Sequence, residues 1–131
     1  MVYAAVTNLT ACSGKPHVIW TAYTPAVMEQ ALHSGKPVFA YFYAAWCGPC
    51  MQLKEHTFTD PRVIAALEPY HRIKVDMSYI HSKKIQKISE DYEMPGLPTL
   101  ILFDTSGRSY YRHSGFIDAE NLLSELRKFK E

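Results

Sequence analysis

An unbroken apolar run, Val38-Phe39-Ala40-Tyr41-Phe42-Tyr43-Ala44-Ala45, leads straight into Trp46-Cys47-Gly48-Pro49-Cys50. Continuous hydrophobicity, rather than alternation, predicts a strand over 38–44 that is buried on both faces, as in a sheet covered by helices. Downstream, Met51-Gln52-Leu53-Lys54-Glu55 reads as helix. Two cysteines therefore fall where a strand gives way to a helix. A helix N-terminus carries roughly half a positive charge and several unpaired N–H groups. A thiol placed there ionises more easily, and the thiolate is the reactive form. Cysteines three apart on one turn can close a small disulfide, and Pro49 suits the first turn because it needs no donor. The pattern points to a dithiol that exchanges with the disulfides of other proteins.

The 131 residues suffice for one domain with a substantial core. Fourteen basic against thirteen acidic residues leave a formal charge of +1, a balance that favours neither nucleic acid nor an anionic membrane. No apolar run approaches the roughly eighteen residues needed to span a bilayer, so no stable membrane insertion is expected. Met1-Val2-Tyr3-Ala4-Ala5-Val6 has no Lys or Arg and is too short for a signal peptide. Leu9-Thr10-Ala11-Cys12 nonetheless resembles a bacterial lipoprotein processing site, with Cys12 as the lipidated residue. Three cysteines cannot build a disulfide framework, since only one pair can close internally. His17, His33, His56, His71, His81 and His113 are scattered singly, so no metal site is expected.

Residues 1–16 read as a polar N-terminal extension, and 17–131 as the folded domain. His17-Val18-Ile19-Trp20 predicts a short strand. Thr24-Pro25 gives an N-cap followed by proline at the first helical position, opening a helix of about ten residues that Gly35 stops. After the Cys-Gly-Pro-Cys turn, a helix is predicted from about Pro49 to Phe58. A second begins at Asp60-Pro61 and carries Val63, Ile64 and Leu67 inward. Ile73-Lys74-Val75-Asp76 reads as a strand, and a helix through Ile85, Ile88 and Tyr92 follows, with Lys83, Lys84 and Lys87 on its solvated face. Pro95-Gly96-Leu97-Pro98 breaks the chain before a second buried strand, Thr99-Leu100-Ile101-Leu102-Phe103. Asp104-Thr105-Ser106-Gly107 has turn chemistry, so 108–116 pairs back as a hairpin. Asp118 caps a last helix with Leu122, Leu123, Leu126 and Phe129 in one stripe. The order β-α-β-α-β-α-β-β-α predicts an α/β domain whose sheet is parallel at first and antiparallel at its end.

Trp46-Cys47-Gly48-Pro49-Cys50 after one buried strand, with Gly96-Leu97-Pro98-Thr99 before the next, resembles the thioredoxin family over about residues 18–131. Three flanking segments are similar to the C-terminal thioredoxin-like domains of the DsbD family of transmembrane disulfide reductases and their envelope relatives. They are Gly35-Lys36-Pro37-Val38, Thr57-Phe58-Thr59-Asp60-Pro61-Arg62-Val63 and Gly115-Phe116-Ile117-Asp118-Ala119-Glu120. The resemblance implies a thioredoxin fold, a central mixed sheet flanked by helices, with no cofactor beyond the Cys47–Cys50 couple. Cys47 would be the attacking, more exposed cysteine and Cys50 the buried resolving one. Trp46, Gly48 and Pro49 would support them. Pro98 would be a cis proline facing the dithiol, with Gly96 and Leu97 receiving the substrate strand.

One position departs from the family. Thioredoxins keep a buried aspartate six residues before the first cysteine, and Tyr41 stands there. A phenol with a pKa near 10 is a poor base at neutral pH, so Glu55 on the active-site helix is a candidate proton relay in its place, beside Tyr41 itself, with water as the alternative. The implied partners are disulfide-bonded proteins and an upstream reductant, either a thioredoxin reductase or a membrane electron carrier. The implied species is a monomer in the bacterial periplasm or envelope, with the cytoplasm as the alternative. Reductase is the favoured direction. Isomerase, or a thioredoxin-fold binding or metal-carrier module, are the competing readings.

Overall fold

The computed structural model describes residues 15–129. Cys12 and nearly all of the extension expected over 1–16 lie outside those residues. Five strands form one mixed sheet: β1 (Thr21–Ala22), β2 (Val38–Tyr43), β3 (His71–Asp76), β4 (Thr99–Phe103) and β5 (Ser109–Ser114). Their spatial order is β1-β3-β2-β4-β5. β3 runs parallel to both β1 and β2, while β4 runs antiparallel to both β2 and β5.

The helices are α1 (Pro25–Leu32), α2 (Gly48–Gln52), α3 (Pro61–Ala66), α4 (Lys83–Asp91) and α5 (Ala119–Phe129). Successive residues of β2 point to opposite faces, and both faces are covered. Phe39 and Tyr41 join Leu53, Phe58, Val63, Leu122 and Leu126 on the side of α2, α3 and α5. Val38, Ala40 and Phe42 join Met28, Ala31, Ile85 and Ile88 on the side of α1 and α4. β4 splits the same way, with Leu100 and Leu102 on the first face and Ile101 and Phe103 on the second. Burying a Phe or Leu side chain contributes about 1.5–3 kcal/mol, so these two strands anchor the domain.

Caps and turns follow the local chemistry. Thr24, Asp60 and Ser82 each accept a backbone N–H at the start of α1, α3 and α4. Gly107 holds φ +88° in the β4–β5 hairpin, and a Cβ there would lie 2.7 Å from the Leu32 carbonyl oxygen. Arg62 bonds Asp60 at 2.8 Å and Glu120 at 2.6 Å, tying α3 to α5.

Two elements differ from expectation. The strand predicted over 17–20 forms instead at Thr21–Ala22. Val18 and Trp20 are drawn into the core against Phe58 and Phe39, and Val18 N–H donates to the Phe58 carbonyl at 3.0 Å. The helix predicted over 49–58 stays α-helical only to Gln52 and continues as a π-helical turn over Leu53–Thr57. The wider turn directs Leu53, Thr57 and Phe58 inward together. Thr57 then satisfies its buried hydroxyl on the Ile117 carbonyl at 2.7 Å.

Candidate active site

The site forms where β2 ends. Cys47 caps α2 with extended backbone (φ −94°, ψ 116°), and its Sγ accepts the Cys50 N–H at 3.2 Å. Gly48 and Pro49 complete the first turn, where proline costs no hydrogen bond. Cys47 and Cys50 are joined as a disulfide with Cα atoms 5.2 Å apart. Both residues are largely covered, Cys47 at 5 % and Cys50 at 2 % exposure, a narrower contrast than the sequence suggests. Their surroundings separate them: Cys47 lines an open groove of about 720 Å³, and Cys50 does not.

The strap entering the site is held from β3. Ala45 N–H donates to Ser78 Oγ at 2.8 Å, and the Trp46 indole N–H donates to the Ser78 carbonyl at 2.9 Å. Ser78 is fixed in turn by Asp76, whose Oδ1 accepts its backbone N–H at 2.9 Å and its hydroxyl. Trp46 is thereby held along the groove although 60 % exposed. Sequence reasoning missed Asp76 and Ser78. The Asp-x-Ser spacing after β3 is an Asx-turn signal that could have found them.

The opposite wall is the 96–98 turn. Thr99 pairs with Phe42 in the β2–β4 register, so this turn leaves the sheet beside residues 44–47. Leu97 packs against Ala44, Cys47 and Cys50. The Leu97–Pro98 peptide is cis. Thr99 Oγ1 donates to the Gly96 carbonyl at 2.7 Å, and Gly115 N–H donates to the Pro98 carbonyl at 2.8 Å.

Tyr41 and Glu55 occupy different settings. The buried Tyr41 hydroxyl donates to the Cys50 carbonyl at 3.2 Å. Burial, with a smaller contribution from Tyr43, pushes its phenol well above the usual value. Its proton therefore stays in place throughout the neutral range, and the group acts here as a donor to backbone. Glu55 is exposed on the π-helical turn and does not line the groove. Tyr41→Phe should cost about 1 kcal/mol, the net worth of one hydrogen bond, read as a lower urea midpoint. Its disulfide-exchange rate at pH 7 should match that of the parent. A rate loss exceeding the stability loss would return the phenol to proton transfer.

Among the described residues, no three His, Cys, Asp or Glu side chains gather as a metal site would require. No helix among them is long and apolar enough to cross a membrane.

Comparison with known proteins agrees with this geometry. The thioredoxin-like domain family matches residues 24–130. The thiol:disulfide interchange protein DsbD of Campylobacter jejuni is 37% identical over 91 residues, covering 70% of this chain and 16% of that protein. DsbD of Haemophilus ducreyi is 32% identical over 127 residues, covering 93% of this chain and 22% of that protein. The chain thus spans less than a quarter of the length of these curated relatives. The oxidised C-terminal domain of Neisseria meningitidis DsbD superposes with a TM-score of 0.69 at 26% identity, over 84% of this chain and 98% of that one. With a mixed sheet of this order, a Cys-Gly-Pro-Cys disulfide capping a helix and these relatives, the chain belongs to the thioredoxin-like family.

Proposed function

We propose that this domain, a thiol–disulfide oxidoreductase by fold, family and dithiol, works as a reductase of protein disulfides. One observation carries the reading: Cys47 caps α2 and faces the groove, while Cys50 sits one turn behind it. In the reduced protein, the Cys47 thiolate attacks a substrate disulfide and forms a mixed disulfide. Cys50 then attacks Cys47 Sγ, releases the substrate thiol and closes the internal bridge. The Cys50 N–H directed at Cys47 Sγ favours the anion. Trp46, Gly48 and Pro49 frame the attacking sulfur. Gly96, Leu97 and Pro98 receive the substrate backbone on the other side.

A thiol pKa near 7 is thioredoxin's own value and enters by analogy. Relative to about 8.5, it raises the thiolate fraction at pH 7 roughly sixteenfold. Lower nucleophilicity, with a Brønsted slope of ~0.45, takes back about fivefold. The net gain in attack is about threefold. Most of the advantage lies in Cys47 as a good leaving group and in a resolving thiol held in place. Glu55 is exposed and lies off the groove, so the Cys50 proton is assigned to pass through solvent to the departing substrate thiolate.

The Gly48-Pro49 dipeptide and the DsbD likeness support the reducing direction, an envelope location and re-reduction by a membrane electron carrier. Equilibration with glutathione redox buffers tests the direction. The Cys47/Cys50 couple should titrate near −270 mV, as reducing thioredoxins do, whereas a value near −120 mV would mark an oxidant.

A further inference from the structure

The groove beside Cys47 is much larger than one cysteine needs. Its apolar lining comes from separate segments, including Met77 after β3, Ile85 on α4, and Met94 and Leu97 before β4. Methionines adapt to irregular apolar shapes better than branched side chains do. Glu90 on α4 is the one charged side chain in the lining. It is exposed, and among the described residues it takes part in none of the ion pairs. Its neighbour Asp91 is paired with Lys87 at 3.4 Å. Glu90 also lies at the C-terminal end of α4, where the helix dipole disfavours an anion. Its position thus gains nothing visible for the fold. In the reduced state the groove would carry two negative charges, the Cys47 thiolate and Glu90, on an otherwise uncharged and mostly apolar wall.

We propose that this groove selects extended disulfide-bonded polypeptides carrying a large apolar side chain and a basic residue next to the attacked cysteine. Met77, Ile85 and Met94 take the apolar side chain, and Glu90 pairs with the basic one. This rests on the reductase reading and adds a substrate class to it. The reaction is balanced within the pair. Cys47 thiolate breaks the peptide S–S bond, and Cys50 then displaces the second peptide sulfur from Cys47. Two electrons and two protons pass from the protein dithiol to the peptide, which leaves as a dithiol.

The test uses the reduced, desalted protein in single turnovers with peptides closed by one disulfide. The peptides differ only beside the cysteine, bearing Leu-Lys, Leu-Glu or Ala-Lys. The parent should reduce the Leu-Lys peptide about two- to fivefold faster than Leu-Glu at low salt, the range of one exposed ion pair. The ratio should shrink as salt rises. Glu90→Gln should lower it towards the smaller bias left by the Cys47 thiolate and Glu90→Lys should lower it further, while Met94→Ala should narrow the gap between Leu-Lys and Ala-Lys. Each comparison is a ratio within one variant, so partial misfolding does not affect it. Ratios indifferent to residue 90 would overturn the proposal, whatever their salt dependence. Hydroxyethyl disulfide serves as an uncharged probe of the parent alone. If the parent fails to reduce it, the reductase reading itself falls, and this proposal with it.

Discussion

Cys47→Ser should reduce protein disulfides no faster than the buffer reductant alone. A serine hydroxyl at this cap is neither ionised at neutral pH nor able to form a mixed disulfide, so the first step disappears. The fold should survive, because serine is a favoured cap and can accept the Cys50 N–H as the sulfur does. Thermal unfolding of the variant separates the two effects. Residual turnover in a well-folded Cys47→Ser protein would mean that Cys50, or chemistry elsewhere, makes the attack.

Cys50→Ser should show the opposite defect. Cys47 still attacks, but nothing adjacent releases the substrate, and the mixed disulfide accumulates. Well-oriented intramolecular steps reach effective molarities of about 10⁵ M or more, which millimolar external thiol cannot match. Turnover should fall by orders of magnitude, and non-reducing mass spectrometry should show substrate covalently bound to Cys47. Cys50 is buried among Ala44, Leu97 and Tyr43, so the change to a hydroxyl also adds a modest stability cost. Rapid turnover without a trapped adduct would contradict the two-step exchange.

Much of this was readable in the sequence, for identifiable physical reasons. β2 and β4 carry continuous apolar runs because each is covered on both faces, and the helices of the second half begin at conventional caps. The Cys-Gly-Pro-Cys turn declares its own chemistry. Local pattern does not show the α-to-π change at Leu53, which goes with a tertiary contact, Thr57 bonding Ile117 across 60 residues of chain. β1 has only two residues, too few for a periodic signal, and takes its place from pairing with Ile73 and Lys74. Tyr41 was legible as a departure from the thioredoxin pattern, but its bond to the Cys50 carbonyl is tertiary. The groove is assembled from segments far apart in the chain, so neither its size nor the place of Glu90 could be read before folding.

The proposed exchange requires two unequal sulfurs, and timed alkylation measures that inequality directly. The reduced protein is pulsed with iodoacetamide under native conditions across pH 5–9, and the labelled peptides are resolved by mass spectrometry. Cys47 should be modified first, with a rate that follows a titration below the ~8.5 of an ordinary thiol, while Cys50 stays protected until the protein unfolds. Equal labelling of both cysteines, or faster labelling of Cys50, would contradict it.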